Sequence, residues 1–136
     1  MIREYDYEKN EDAAIIELSK ATEKAAPALD MEIDRLSYVY EENGKIEGRI
    51  IAERFCDTVE IKFFVVNEEY RGRGIGKKLI SKVEDEAAAL GCKHITLETM
   101  SFNSWKFYIA AGYEILAKIE NSPMNGETHY FLHKEL

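Results

Sequence analysis

A glycine-rich, basic stretch in the middle of the chain constrains the fold more than any other feature. It joins an apolar run at residues 61–66 to a long amphipathic segment at residues 75–90. This pattern predicts a strand that runs through a short loop into the first turn of a helix. Backbone N–H groups there lack partners within the helix, and the helix dipole adds partial positive charge. The stretch carries four basic residues, Arg71, Arg73, Lys77 and Lys78. It therefore predicts a phosphate-binding site.

Two common phosphate-binding loops do not fit this stretch. In a Walker loop a glycine stands five residues before the Gly-Lys pair and a hydroxyl residue follows it, but here Arg71 and Lys78 occupy those positions around Gly76. The dinucleotide fingerprint requires a third glycine three residues after Gly74, where Lys77 stands. The pattern that fits is Arg-x-x-Gly-x-Gly, whose glycines let the backbone approach a ligand closely. A glycine-rich turn with solvated charges is the alternative.

The rest of the chain reads as one domain, residues 1–136, of the α/β or α+β class. We expect a mixed, mostly antiparallel central sheet of about six to seven strands, about four flanking helices, and one parallel strand–helix–strand crossover. Predicted strands lie at 2–7, 36–40, 45–53, 58–66, 94–100, 113–119 and 129–136. Predicted helices begin after an Asn10 cap, near Gly74 and at an Asn103 or Ser104 cap, with an irregular helical piece or loop at 25–35.

Composition excludes several classes of function. The 26 acidic and 18 basic residues give a net charge of −8, which argues against nucleic acid as the main partner. No apolar run approaches the roughly 18 to 20 residues of a membrane span, and the first residues have no signal-peptide character. Cys56 and Cys92 form no metal or redox pattern, so we expect a reduced, cytoplasmic setting. The histidines, His94, His129 and His133, show no ligand spacing, and no metal is predicted.

A second motif lies about thirty residues beyond the loop. It reads Asn103-x-x-x-Phe107-Tyr108-x-x-x-Gly112-Tyr113. The two motifs, on these predicted elements and in this order, resemble the GNAT superfamily of acetyl-coenzyme A-dependent N-acetyltransferases over nearly the whole chain. The resemblance implies a GNAT-like fold, an acetyltransferase activity and acetyl-coenzyme A as the acetyl donor.

The resemblance also implies which residues bind the coenzyme. Val65 and Val66 would pair with pantetheine through their main chain, and Asn103 would contact the coenzyme from the other side. The pyrophosphate would be held by the main chain of the loop, at Arg71, Gly72, Arg73, Gly74, Ile75, Gly76 and Lys77.

Two residues match catalytic positions of the family. Tyr108 matches the tyrosine that protonates the departing thiolate. Glu60 matches, by its distance before Arg71, a glutamate that serves some members as general base. The chemistry needs both roles, because an alkylamine of pKa about 10.4 must lose a proton before it attacks, and a thiolate of pKa about 8.5 must gain one. For Glu60, an outward-facing strand position paired with Lys62 or Lys45 is the alternative.

The predicted function is transfer of an acetyl group to a primary amine in a ternary complex, without a covalent enzyme intermediate or a metal. Acidic residues in the N-terminal third favour a cationic small molecule or a peptide amine as acceptor. These residues are Glu17, Glu23, Asp30, Glu32 and Asp34. The alternative is a non-catalytic acyl-coenzyme A-binding or regulatory module on the same fold. A membrane partner is not expected, and a homodimer is an expectation of the family alone.

Overall fold

A computed structural model describes all residues, 1–136, and they form two compact units, residues 1–32 and residues 33–136. The first unit consists mainly of helix α1 (Tyr7–Ala25). The strand predicted at residues 2–7 and the cap predicted at Asn10 are both wrong. The physical reason is an earlier cap, because the Asp6 side chain accepts a hydrogen bond from the Lys9 backbone N–H at 3.0 Å. The irregular piece expected at 25–35 is a turn followed by the start of a strand.

The second unit is a six-stranded sheet with two α-helices. Its strands are β1 (Ile33–Glu42), β2 (Lys45–Phe55), β3 (Thr58–Val66), β4 (His94–Met100), β5 (Glu114–Glu120) and β6 (Thr128–Glu135), and its helices are α2 (Ile75–Ala89) and α3 (Trp105–Ala110). The strand order is β1-β2-β3-β4-β6-β5. Every neighbouring pair is antiparallel except β3 with β4. The mixed, mostly antiparallel α/β class with one parallel pair is thereby confirmed.

Tight turns connect the first three strands. The turn between β1 and β2 contains Asn43 at φ 51° and Gly44 at φ 74°. Two consecutive positive φ angles match the twist of the flanking strands in a two-residue hairpin, and asparagine and glycine tolerate them at low cost. The chain order β1, β2, β3 is therefore also the spatial order at this edge of the sheet.

Helix α2 packs its apolar stripe on one face of this sheet. Ile80 and Val83 are almost completely buried, and so are Ile50 and Val59 on the strands. The stripe has the three- and four-residue spacing of an amphipathic helix, which orients one side towards the sheet. Gly91, at φ 78°, lies just beyond the end of the helix. None of the helices is both long and apolar enough to cross a membrane.

The feature that creates a site is the early end of the β3–β4 pairing. The two strands are paired in parallel from Thr58 with His94 to Ile61 with Leu97, and no further. Residues 62–66 of β3 continue beside β2 alone. Their peptide groups on the β4 side are therefore free to bond a ligand that enters between the strands.

Candidate active site

The gap between β3 and β4 opens into a cavity of about 610 Å³. The end of β3, the loop before α2, the end of β4 and the start of α3 form its walls. The structure brings most of the predicted site residues together in these walls. They are Val65, Val66, Arg71, Gly72, Gly74, Ile75, Gly76, Lys77, Asn103 and Tyr108. Arg73 and Glu60 lie outside the lining.

An uncapped helix terminus forms one end of the cavity. Gly74 is the N-cap residue of α2, with φ 78° and ψ 8°, and no side chain caps the helix. The Lys78 N–H makes a hydrogen bond to the Gly74 carbonyl at 3.1 Å. The N–H groups before it, from Ile75 onward, therefore face outward without a side-chain acceptor. These groups and the helix dipole provide a binding site for an anion such as a pyrophosphate.

The four basic residues of the loop have different environments. The Arg71 Nε donates a hydrogen bond to the Val66 carbonyl at 3.1 Å, which ties the loop to the end of β3. The Arg73 guanidinium lies 5.3 Å from the centre of the Tyr70 ring. Lys77 lines the cavity. The sequence pattern did not distinguish these roles, because each depends on where the side chain turns after the backbone is fixed.

Gly76 serves the packing of the site rather than the turn. A Cβ at this position would lie 3.2 Å from the Phe64 ring and 3.4 Å from the Phe107 ring. These two rings stack at 5.4 Å. At Gly72 and Gly74, by contrast, the backbone has φ of 81° and 78°, which side-chain-bearing residues rarely adopt. The expectation that all three glycines serve backbone approach is thus corrected for Gly76.

Tyr108 forms part of the opposite wall. Its side chain is 5% exposed and packs against Phe64, Phe107 and Tyr113. Burial raises the pKa of Tyr108 far above its usual range, so the phenol stays protonated at neutral pH. No hydrogen bond within the protein uses its hydroxyl group. The hydroxyl is therefore available as a donor to a ligand in the cavity.

Glu60 lies on β3 just before the strands separate, in register with Thr96. Its carboxylate lies 3.2 Å from the Lys62 ammonium, and its side chain is 49% exposed. This is the outward-facing, lysine-paired arrangement that was the alternative for Glu60. Its role as general base stays a prediction.

The acidic residues of the N-terminal third supply no carboxylate to the cavity lining. Asp34 forms an ion pair with Arg54, whose Nε donates to Oδ2 at 2.6 Å, and Arg54 is 8% exposed. Asp30 accepts a hydrogen bond from the Glu32 backbone N–H at 2.9 Å. Asp34 therefore neutralises a buried arginine.

A second set of polar residues on β4 and β6 escaped sequence reasoning. Glu98 lines the cavity, and its Oε2 lies 3.1 Å from the His129 Nε2. Two residues further along β6 in this sheet, His133 lies 2.9 Å from His94 and 3.1 Å from Glu114. The histidines are scattered in sequence, and only the β4–β6 register brings them close to these partners. Alternation along β4 was the only sequence signal, and it could not identify the partner strand.

Comparison with known proteins agrees with this geometry. Residues 5–113 match the family model described as the Acetyltransferase (GNAT) family. The chain is 31% identical over 101 residues to blasticidin-S acetyltransferase of Streptomyces morookaense, covering 74% of each chain. It is 39% identical over 65 residues to thialysine N-epsilon-acetyltransferase of Bos taurus, covering 46% of this chain and 38% of that protein.

Solved structures show the same fold. An acetyltransferase from Bacillus cereus superimposes with a TM-score of 0.90 and 25% identity, over 100% of this chain and 97% of that one. An acetyltransferase from Bacillus anthracis, solved in complex with acetyl coenzyme A, superimposes with a TM-score of 0.68 and 22% identity, over 76% and 63% of the two chains. A strand-gap cavity with a helix terminus at one end defines an acyltransferase of the acetyl-coenzyme A-dependent class. The chain belongs to the GNAT acetyltransferase family.

Proposed function

We propose that this acetyltransferase transfers an acetyl group from acetyl-coenzyme A to a primary amine on a cationic small molecule or a peptide. The transfer is direct, within a ternary complex. The observation that carries the proposal is the single cavity between β3 and β4, which has an anion-binding helix terminus at one end and the protonated Tyr108 in its wall. That arrangement holds a long anionic thioester and presents its sulfur to a donor.

The cofactor assignment follows the cavity walls. The backbone N–H groups of residues 71–77 hold the pyrophosphate, and Arg73 contributes through its main chain. The free edge of β3, at Val65 and Val66, pairs with the pantetheine amides as an added strand would. Asn103 contacts the coenzyme from the α3 side of the cavity.

Tyr108 is the proposed donor to the leaving sulfur. As the amine attacks the thioester carbon, the carbon–sulfur bond breaks and negative charge develops on sulfur. A phenol kept neutral by burial can donate its O–H to that sulfur. The attacking amine needs a base first, and Glu60 is the base that the sequence motif predicts.

The acceptor assignment rests on charge and on the relatives. The chain carries a net charge of −8, and Glu98 places a carboxylate in the cavity wall. Both attract a cation. The name of the bovine relative, an N-epsilon-acetyltransferase of thialysine, supports an amine as the acceptor here.

The organisation of the protein is proposed with the same reasoning. We infer that residues 1–136 function as one domain, because the family model spans residues on both sides of position 32. The free thiols of Cys56 and Cys92 support a reducing, cytoplasmic setting. A homodimer remains the expectation of the family.

The test is thiol release from acetyl-coenzyme A across a panel of acceptors. The panel contains lysine, polyamines, peptides with a free N-terminus and neutral hydroxyl analogues of the same size. We expect release with cationic amines and none with the hydroxyl analogues. Tight binding of acetyl-coenzyme A without release on any amine would instead establish the non-catalytic module.

A further inference from the structure

We propose that Glu98, held in place by His129, is the carboxylate that removes a proton from the acceptor amine. The inference rests on the proposed function, since it names a residue for the same reaction. Glu98 is a catalytic residue in this scheme because it touches the amine, and His129 is a positioning residue that acts through Glu98.

The position of Glu98 relative to the strand gap is the first argument. Ile61 and Leu97 form the last pair between β3 and β4. Glu98 is the next residue of β4 and lines the cavity, as does Lys62, the next residue of β3. An amine that attacks a thioester held in the gap reaches the point where the strands separate. Glu98 stands at that point, whereas Glu60 precedes the last pair.

The contact with His129 is the second argument. The His129 Nε2 lies 3.1 Å from the Glu98 Oε2. The imidazole is stacked on Phe131, with 4.5 Å between ring centres and 23° between planes. Its side chain is 17% exposed, against 57% for Glu98. The more buried, stacked ring can therefore hold one carboxylate oxygen and leave the other accessible to a substrate.

The surrounding charges leave Glu98 available. On β3, the Lys62 ammonium lies 3.2 Å from Glu60, so Glu60 has an ion-pair partner. On β6, His129 contacts Glu98, while His133 contacts Glu114 and His94. Of the two carboxylates next to the gap, Glu98 is the one with an imidazole neighbour. An imidazole changes its own charge between pH 5 and 8, so it can pass a proton on towards solvent.

The proton balance of the step is complete. The acceptor ammonium loses one proton to the Glu98 carboxylate, and its freed lone pair forms the carbon–nitrogen bond. The carbon–sulfur bond breaks, and the electron pair leaves on sulfur. Of the two protons that nitrogen loses in all, one ends on the thiol of coenzyme A and one reaches solvent by way of Glu98 and His129.

Glu98→Gln tests the role with kinetics. We expect kcat to fall by about 100-fold, within the range of general base catalysis, while the Kd of acetyl-coenzyme A is unchanged. The rise of kcat with pH that a carboxylate base imposes should also disappear. Glu114→Gln is the matched control, because Glu114 also lies 3.1 Å from a histidine but outside the cavity lining. It should retain the kcat and pH profile of the wild type.

Two further variants separate chemistry from folding. Glu98→Ala should regain activity when formate is added, because a small carboxylate can enter the vacated space, and Glu114→Ala should not respond. His129→Gln should shift the pH profile of kcat and leave the Kd of acetyl-coenzyme A unchanged. Full activity of Glu98→Gln, no formate rescue, or a larger loss in Glu60→Gln would overturn the proposal. If the wild type itself releases no thiol with any amine, the proposed function fails instead.

Discussion

At the scale of single residues, the protonation state of Tyr108 decides what it can do. Burial raises its pKa, so full proton transfer to an ordinary thiolate, whose pKa is about 8.5, would be uphill. The leaving thiolate would occupy the same low-dielectric cavity, and burial raises its proton affinity as well. The two effects offset each other. Tyr108 therefore acts by donating a strong hydrogen bond that becomes a proton transfer as charge develops on sulfur.

Tyr108→Phe should lower kcat by about 100-fold, in the range found for proton donors. The Kd of acetyl-coenzyme A should stay close to that of the wild type, because the ring still fills the wall. Tyr113→Phe is the control, since Tyr113 is as buried but its hydroxyl donates to Glu84 at 3.2 Å, outside the cavity lining. Steady-state kinetics of both variants check this. An unchanged kcat in Tyr108→Phe removes the donor assignment.

The sequence predicted site residues unevenly at this scale. Motif positions such as Asn103 and Tyr108 were identifiable because they lie in fixed patterns, and both line the cavity. Glu98 and His129 lie in no pattern. Their contact exists only because β4 and β6 pair in one register. A single sequence does not encode that register in any local signal.

At the scale of elements, the loop before α2 combines two requirements. Gly72 and Gly74 need positive φ angles to turn the chain from β3 into the helix. The same turn leaves the N-terminal N–H groups of α2 without a cap. An isolated helix would be more stable with a capping side chain by about 1 kcal/mol. The missing cap indicates that a ligand anion supplies the acceptors instead.

Gly74→Val should abolish measurable binding of acetyl-coenzyme A. A β-branched residue cannot adopt φ 78° without strain, and its side chain would project towards the cavity. Gly126→Val is a matched control, because Gly126 has φ 85°, nothing within 4 Å of an added Cβ, and no place in the cavity lining. Titration calorimetry on both folded variants measures the effect. Wild-type affinity in Gly74→Val would refute the proposed pyrophosphate site.

Element boundaries followed local chemistry where a strong signal existed. The strands at 58–66 and 94–100 match the predicted bounds. The start of α1 was missed because the sequence offers two caps, Asp6 and Asn10, and the choice depends on which carboxylate or amide reaches a backbone N–H. The Asp6 side chain reaches Lys9, and the Asn10 N–H donates to the Asp6 carbonyl.

At the scale of the whole molecule, two buried tyrosines couple folding to alkaline pH. Burial raises the pKa of Tyr108, and burial together with the charge and hydrogen bond of Glu84 raises that of Tyr113. In the unfolded chain a tyrosine ionises at a pKa of about 10. Above that pH the folded state holds more protons than the unfolded state. The stability is therefore fully present below pH 10 and is lost as pH rises.

The free energy of unfolding should fall above about pH 10, with each of the two tyrosines contributing up to about 1.4 kcal/mol per pH unit. Tyr108→Phe should make this decline shallower while changing stability little at pH 7. Urea denaturation between about pH 7 and pH 11 measures both chains. Identical alkaline slopes in the variant and the wild type would contradict the coupling.

The global topology was predicted in class but not in order. The parallel crossover from β3 through α2 to β4 follows from the strand–helix–strand pattern. The insertion of β6 between β4 and β5 does not, because it depends on long-range pairing over the whole sheet. That insertion also places His129 beside Glu98.

The most direct test of the account is a two-substrate kinetic measurement. Initial rates of thiol release and of acetyl-amine formation are recorded while acetyl-coenzyme A and the best amine are both varied. Direct transfer in the β3–β4 cavity predicts intersecting double-reciprocal lines and equal amounts of the two products. Parallel lines, with an acetyl group found on the protein when the amine is withheld, would contradict it.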